Sequence, residues 1–217
     1  MTHSPPEFDI QDVSVEQRTS EYRGFFAIDK FTLRHKLYAG GFSDSFDREL
    51  FMRAPAAGVL LYDPKLDSVV LVEQFRIGAL LEAQEKGSSP WCLEVVAGIL
   101  APNETAAELS RREAMEEAGC EIQALEPICE YYNSPGGSNE RINLYCGQVD
   151  ASNAGGVYGL ADENEDIRAL VLSFDEAWLA LQAGRMNNAM AIIAMQWLFI
   201  NRNELKERWL KGGNLAG

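Results

Sequence analysis

The sequence predicts a mixed α/β domain preceded by a small antiparallel β-sheet, and three observations predict it. Two apolar runs, Val59 to Tyr62 and Ser68 to Arg76, flank the turn residues Asp63-Pro64-Lys65 and read as a hairpin. The stretch Gly98 to Cys120 has a turn-like start, a helix from about Glu104 to Ala118 and a glycine stop at Gly119. Residues 1 to about 55 alternate apolar and polar side chains with few helix signals, so the main domain is expected to begin near Ala56. The division is therefore 1–55 and 56–217.

In the first part, Phe25 to His35 suits a strand, Ala39-Gly40-Gly41 a turn and Phe42 to Phe51 a returning strand. So small a sheet is not expected to stand alone in water, so it must pack on the main domain or on another subunit. Its arginines Arg48 and Arg53 read as surface charge and its tandem Phe25-Phe26 as core, when judged from residue type alone.

In the second part, Leu80 to Pro90 is polar and reads as a loop, and Trp91 to Ala97 as the strand that delivers the chain to Gly98. Glu73 and Arg76, at the end of an otherwise apolar strand, are candidate site residues. Ala107, Ala114 and Ala118 give the following helix a face that permits close packing. Ile128 to Tyr132 and Ile142 to Val149 read as strands around a turn-rich connection, Ser134 to Glu140. Gly155 to Asp166 reads as a second loop, in which the acids of Asp162-Glu163-Asn164-Glu165-Asp166 would ordinarily be a solvated run. Ile167 to Ser173 is a strand, and Ser173 with Glu176 makes a capping box for a helix to Ala183. A last helix starts after Asn188, with Met190, Ile193, Ala194 and Trp197 as its expected buried stripe.

The 217 residues are 47% hydrophobic and 24% charged, the composition of an ordinary globular protein. A formal net charge of −14 argues against sequence-independent nucleic-acid binding, which needs a basic footprint. It leaves an anionic small substrate open, provided metal and local arginines reverse the field. Cys92, Cys120, Cys129 and Cys146 form no CxxC pair and read as reduced, mostly buried thiols of a cytoplasmic protein. No run of 18 apolar residues suggests a membrane span, and no signal peptide is apparent.

The chemistry concentrates in the helix after Gly98. Helical spacing puts Glu113, Glu116 and Glu117 within an arc of about 100°, near a C-terminal end where the macrodipole is already negative. Like charges three and four apart repel, and Arg112 can relieve only part of the repulsion. A solvated acidic face is one reading of three glutamates. A hard divalent cation, which prefers carboxylate oxygens, is the other. The full spacing favours the second: Gly98, five residues, Glu104, seven residues, Arg112-Glu113, then Glu116-Glu117, one residue and Gly119. This pattern resembles the signature of the Nudix hydrolases, a loop–helix–loop that binds metal and pyrophosphate. Cys120 stands where that family usually has a bulkier aliphatic residue, which bears on packing and not on chemistry.

Three further stretches make the chain similar, over nearly its whole length, to the bacterial ADP-ribose pyrophosphatases of that family: Tyr22-Arg23-Gly24-Phe25-Phe26, Pro135 sixteen positions beyond Gly119, and Gly159 to Arg168. The resemblance implies a Nudix α/β/α sandwich on mixed sheets, with a small N-terminal antiparallel β-sheet domain exchanged within a homodimer. It implies hydrolysis of ADP-ribose to AMP and ribose 5-phosphate with magnesium, for which manganese could substitute. It assigns metal ligation to Glu113, Glu117, Glu165 and the carbonyl of Ala97, with Glu116 as a supporting ligand, and the catalytic base to Glu163. It assigns substrate binding to Phe25, Phe26, Arg48, Arg53, Arg76, Ile99, Ser134, Pro135, Gly136 and Glu140. No nucleic-acid or membrane partner is implied. The competing readings are a pyrophosphatase for another nucleoside-diphosphate sugar, such as GDP-mannose, and a non-catalytic nucleotide sensor. Intact glutamates and the lack of an evident additional domain weigh against the sensor.

Overall fold

The computed structural model describes residues 7–160 and 164–212, which form two compact units: one of residues up to 54 with 132–140, the other of residues 55–131 and 141 onward. The segment 132–140 belongs with the first unit by its hydrogen bonds. The Phe51 N–H donates to the Gly137 carbonyl at 2.8 Å and the Arg53 N–H to Asn139 Oδ1 at 2.7 Å.

The first unit is a three-stranded antiparallel sheet ordered β1 (Val13–Arg23), β2 (Ala27–His35), β3 (Phe46–Met52). Strand β1 was not foreseen as a separate element, and β2 begins two residues later than expected. The reason is a tight turn in which the Gly24 N–H donates to the Phe26 carbonyl at 2.8 Å, which leaves Phe25 at the tip, 88% exposed. The only buried side chains among the described residues of this unit are Asp29 and Glu140. Asp29 is held by Arg18 and Arg23, whose guanidiniums keep its carboxyl below the usual carboxylate range. The three strands bury one side chain, the acid Asp29, so the sheet has no apolar core of its own within one chain.

The second unit is built on an eight-stranded mixed sheet. Its elements in chain order are β4 (Ala56–Asp63), β5 (Ser68–Phe75), α1 (Leu80–Lys86), β6 (Trp91–Glu94), β7 (Val96–Ile99), α2 (Ala106–Ala118), β8 (Ala124–Tyr132), β9 (Arg141–Gln148), β10 (Gly156–Tyr158), β11 (Ile167–Ser173), α3 (Phe174–Gln182) and α4 (Ala189–Gly212). The main path runs β10-β11-β5-β4-β9-β8, with β4 and β9 parallel. Every residue of β4 is buried, as a near-continuous apolar central strand requires. Its side chains alternate. Leu60 and Tyr62 join a core with Met195 and Leu198 of α4 and Phe174 and Ala177 of α3. Val59 and Leu61 join the opposite core with Ala114 and Ala118 of α2. The result is an α/β/α sandwich.

One irregularity positions the site. Strands β4 and β5 pair only from Leu61↔Val70 to Asp63↔Ser68 and then separate. Into the opening go β6, which pairs with β5, and β7, which pairs with β4 through Gly58↔Ala97 and Ala57↔Gly98. The single expected strand from Trp91 to Ala97 is therefore two short ones with different partners, changing hands at Val95.

Other expectations are corrected. Residues 80–86 are helical, not loop: Leu, Ala, Glu, Gln and Lys are strong helix formers, Glu82 and Lys86 pair four residues apart, and Gly87 ends the helix with a positive φ of 66°. Polarity alone concealed them. The loop from Gly155 contains β10. On α4 the fully buried positions are Ala191, Ala194, Met195, Leu198 and Leu205, so of the expected stripe only Ala194 is fully buried, and Met190, Ile193 and Trp197 pack at the core margin. All four cysteines are free, and Cys129 is exposed.

Candidate active site

Helix α2 starts at Thr105, whose hydroxyl accepts from the Glu108 N–H while the Glu108 carboxylate accepts from the Thr105 N–H. It ends at Gly119, which takes the left-handed conformation (φ 62°). Between these caps, the helix lies against β7 so closely that a Cβ on Gly98 would come within 2.0 Å of Glu113 Oε1. Only glycine leaves room for that carboxylate.

The three signature glutamates occupy distinct environments. Glu117 is 3% exposed and its Oε2 accepts from the Ala97 N–H at 3.2 Å. Burial, and next the charge of Glu113, push its carboxyl up to about 8, against the opposing effect of the Ala97 hydrogen bond. Burial likewise raises Glu113, with Glu116 and Glu165 adding to the effect and Arg112 opposing it. Arg112 spans the cluster. Its Nε donates to Glu104 Oε1 at 2.9 Å, and its Nη1 to Glu113 Oε1 at 2.9 Å and Glu116 Oε2 at 2.8 Å. Glu104 in turn accepts from the Ala101 N–H at 3.0 Å, which ties the signature's first acid to its loop. Arg112 thus serves Glu104, Glu113 and Glu116 and does not bridge to Glu117. Among the described residues, no three His, Cys, Asp or Glu side chains are placed to hold an ion together as they stand. Arg112 engages two of the carboxylates, and the third turns to the backbone.

The donor set nevertheless fits a hard divalent cation. It consists of carboxylate oxygens on one helix face, two of them raised by desolvation and mutual repulsion, beside a cradle that a Cβ would fill. Glu165 adds its charge to the pair, and its Oε2 accepts from the Leu160 N–H at 3.2 Å.

The comparisons with known proteins bear on this geometry. Residues 52–193 match the family description NUDIX domain. The chain belongs to the NUDIX family. A relative from Escherichia coli K12 named ADP-ribose pyrophosphatase is 42% identical over 205 residues, covering 94% of this chain and 96% of its own. One of the same name from Haemophilus influenzae is 41% identical over 202 residues, 93% of each. A GDP-mannose pyrophosphatase from Cronobacter sakazakii is 35% identical over 155 residues, 70% of this chain and 76% of its own. A crystal structure titled as an ADP compounds hydrolase shares the fold, with a TM-score of 0.64 at 18% identity over 95% of this chain and 98% of its own.

The remaining expected residues of this NUDIX protein divide between the two units. In the second, Arg76 donates through Nε to the buried Glu94 at 2.7 Å, and Ile99 ends β7 with its side chain half exposed. In the first, Arg53 donates through Nε to Glu140 Oε1 at 3.0 Å and lies over the Phe26 ring at 4.6 Å. Arg48 lies over Phe46 at 4.4 Å, and Phe25 meets Phe26 edge to face. Ser134 opens a turn whose carbonyl accepts from Gly137 and Ser138, with Pro135 and Gly136 exposed within it. Glu163 lies outside the described residues. Glu73 does not join the glutamates of α2: it pairs with Arg168 at 3.1 Å and Arg185 at 2.7 Å and lines a cleft with Trp91, Val157 and Asp166. Glu94 was missed, and its signal was an acid inside an apolar strand four residues before Gly98.

Gly98→Ala is expected to displace Glu113 and, if these carboxylates hold a divalent cation, to weaken its binding by roughly tenfold or more as calorimetry measures, with circular dichroism unchanged. Glu117→Gln tests the burial of that carboxyl. Because its folded value lies above the ordinary 4.5, the stability that it contributes is complete below pH 4.5 and lost as pH rises through about 8. In chelator, wild-type protein should therefore lose on the order of a few kcal/mol more than Glu117→Gln between pH 5 and pH 9, as urea denaturation measures.

Proposed function

We propose that this chain hydrolyses the pyrophosphate bond of ADP-ribose, giving AMP and ribose 5-phosphate. The observation that carries the reading is the 42% identity to an ADP-ribose pyrophosphatase over 94% of the chain, against 35% over 70% for the GDP-mannose enzyme. The glutamate cluster on α2 supports pyrophosphate chemistry.

Glu113, Glu117 and Glu165, with Glu116 and the Ala97 carbonyl in support, would hold magnesium or manganese. When bound, the cation supplies charge neutralisation for the pyrophosphate and the departing phosphate. The other roles belong to the chain's own side chains. Arg53 and Arg76 present guanidiniums to phosphate oxygens, each oriented by a buried glutamate. Arg48, Ile99, Ser134, Pro135, Gly136 and Glu140 line the substrate, and Phe25 and Phe26 offer aromatic faces to the adenine. Glu163 takes a proton from the attacking water. Carboxylates that ligate a cation have their lone pairs engaged and are poor bases, so a separate one is needed.

Among the described residues the first unit buries no apolar side chain, which supports a homodimer with exchanged N-terminal sheets, for which the solution mass should be twice that of the chain. Free thiols suit a reducing, cytoplasmic setting.

Turnover of a panel of nucleoside-diphosphate sugars tests the substrate. ADP-ribose should give the highest kcat/KM; preference for GDP-mannose would replace this reading, and no turnover of any member would favour a sensor. Glu163→Gln should lower kcat by roughly 10²–10⁴ with KM little changed, as for a lost general base. Glu165→Gln should instead raise the magnesium requirement. Near-normal kcat in Glu163→Gln would remove that assignment.

A further inference from the structure

In the first unit, the loop 133–140 is fastened end to end by Asn133 and Glu140. The Asn133 N–H donates to the Glu140 carbonyl at 3.0 Å, and its side-chain Nδ2 donates to Glu140 Oε2 at 2.7 Å. The other carboxylate oxygen, Oε1, accepts from Arg53 twice, from Nε and from Nη2, each at 3.0 Å. Two N–H groups on one oxygen hold a guanidinium at a point but allow it to swing about that point unless the carboxylate is itself fixed. Asn133 fixes it from the far side. A carboxylate only accepts, so the amide must present its nitrogen there. The fork of Arg53 then keeps its plane over the rings of Phe26 and Phe51, at 4.6 and 5.7 Å.

We propose that Asn133 is a positioning residue: by locking the Glu140 carboxylate it orients Arg53, and so sets affinity for the anionic nucleotide substrate without entering the chemical step. This rests on the reading of Arg53 as a substrate-binding residue. Asn133 is exposed and its side chain contributes to no apolar core, so its replacement should leave the fold intact.

The test is steady-state turnover of ADP-ribose by Asn133→Ala, Asn133→Asp, Asn133→Leu and Arg53→Ala. Asn133→Ala should raise KM about tenfold, the effect of losing one hydrogen bond to a charged group, with kcat within twofold of wild type. Asn133→Asp keeps the size of the side chain but removes the donor and sets a like charge against Glu140, so its KM should rise at least as far. A side chain that merely filled space would be replaced without loss by leucine, which matches its size and donates nothing, so an unchanged KM in Asn133→Leu overturns the proposal. So does unchanged KM in Asn133→Ala and Asn133→Asp while Arg53→Ala raises it, a result that leaves Arg53 as a substrate residue. A fall in kcat at constant KM also overturns it. Unchanged KM in Arg53→Ala overturns both the proposal and the reading beneath it. Melting temperatures within about 2 °C of wild type, in line with an exposed substitution, show that the kinetics report positioning.

Discussion

The close approach of α2 to β7 strips water from two carboxylates, and the organisation of the site depends on it. Gly98 has no Cβ because Glu113 occupies that space, and the Ala97 N–H is directed at Glu117 because the helix presents that residue to the strand edge. The approach is possible because Ala114 and Ala118 give α2 a face of small, fully buried side chains against Val59, Leu61 and Val96. Desolvated like charges are unstable neighbours, and Arg112 compensates Glu113 and Glu116 but not Glu117. Glu117 is left with the Ala97 N–H and the charge of Arg76, which burial and Glu113 outweigh, and there a cation would add most.

The sheet is shaped to the same end. If β4 and β5 stayed paired along their length, no edge would be open to receive β7. Their separation after Leu61↔Val70 admits β6 and β7, which bring Glu94 beneath Arg76 and Ala97-Gly98 beneath α2. A common device recurs at the arginines. Arg76 rests on Glu94 and Arg53 on Glu140, each acid almost fully buried, so that two long flexible side chains keep few orientations.

Much of this was legible in the sequence because it is local. The caps of α2, the capping box at Ser173 and Glu176 and the β4–β5 hairpin are all written in residues close to one another along the chain. The spacing from Gly98 to Gly119 could be read for chemistry because helical geometry converts spacing directly into proximity. What was not legible is relational. No local signal says that Val95 passes the chain from one partner strand to another, or that Glu73 faces Arg168 and Arg185 and not the glutamates of α2. The stripe expected on α4 faces the core, but most of its deepest positions were missed because the first turns are apolar nearly all round, so periodicity does not select the centre of the face. Helix α1 was hidden by polarity, although its residue types favour a helix.

Together α2 and β7 hold a desolvated cluster of carboxylates, which a divalent cation is expected to relieve. The most direct measurement is the melting temperature of the wild-type protein at pH 8, in chelator and across a magnesium titration without substrate. Because an ion that binds only the folded state stabilises it by mass action, the melting temperature should climb steadily with magnesium, and an equal ionic strength of sodium chloride should not reproduce the rise. A melting temperature indifferent to magnesium up to tens of millimolar, or matched by sodium chloride, would mean that no divalent cation relieves these carboxylates.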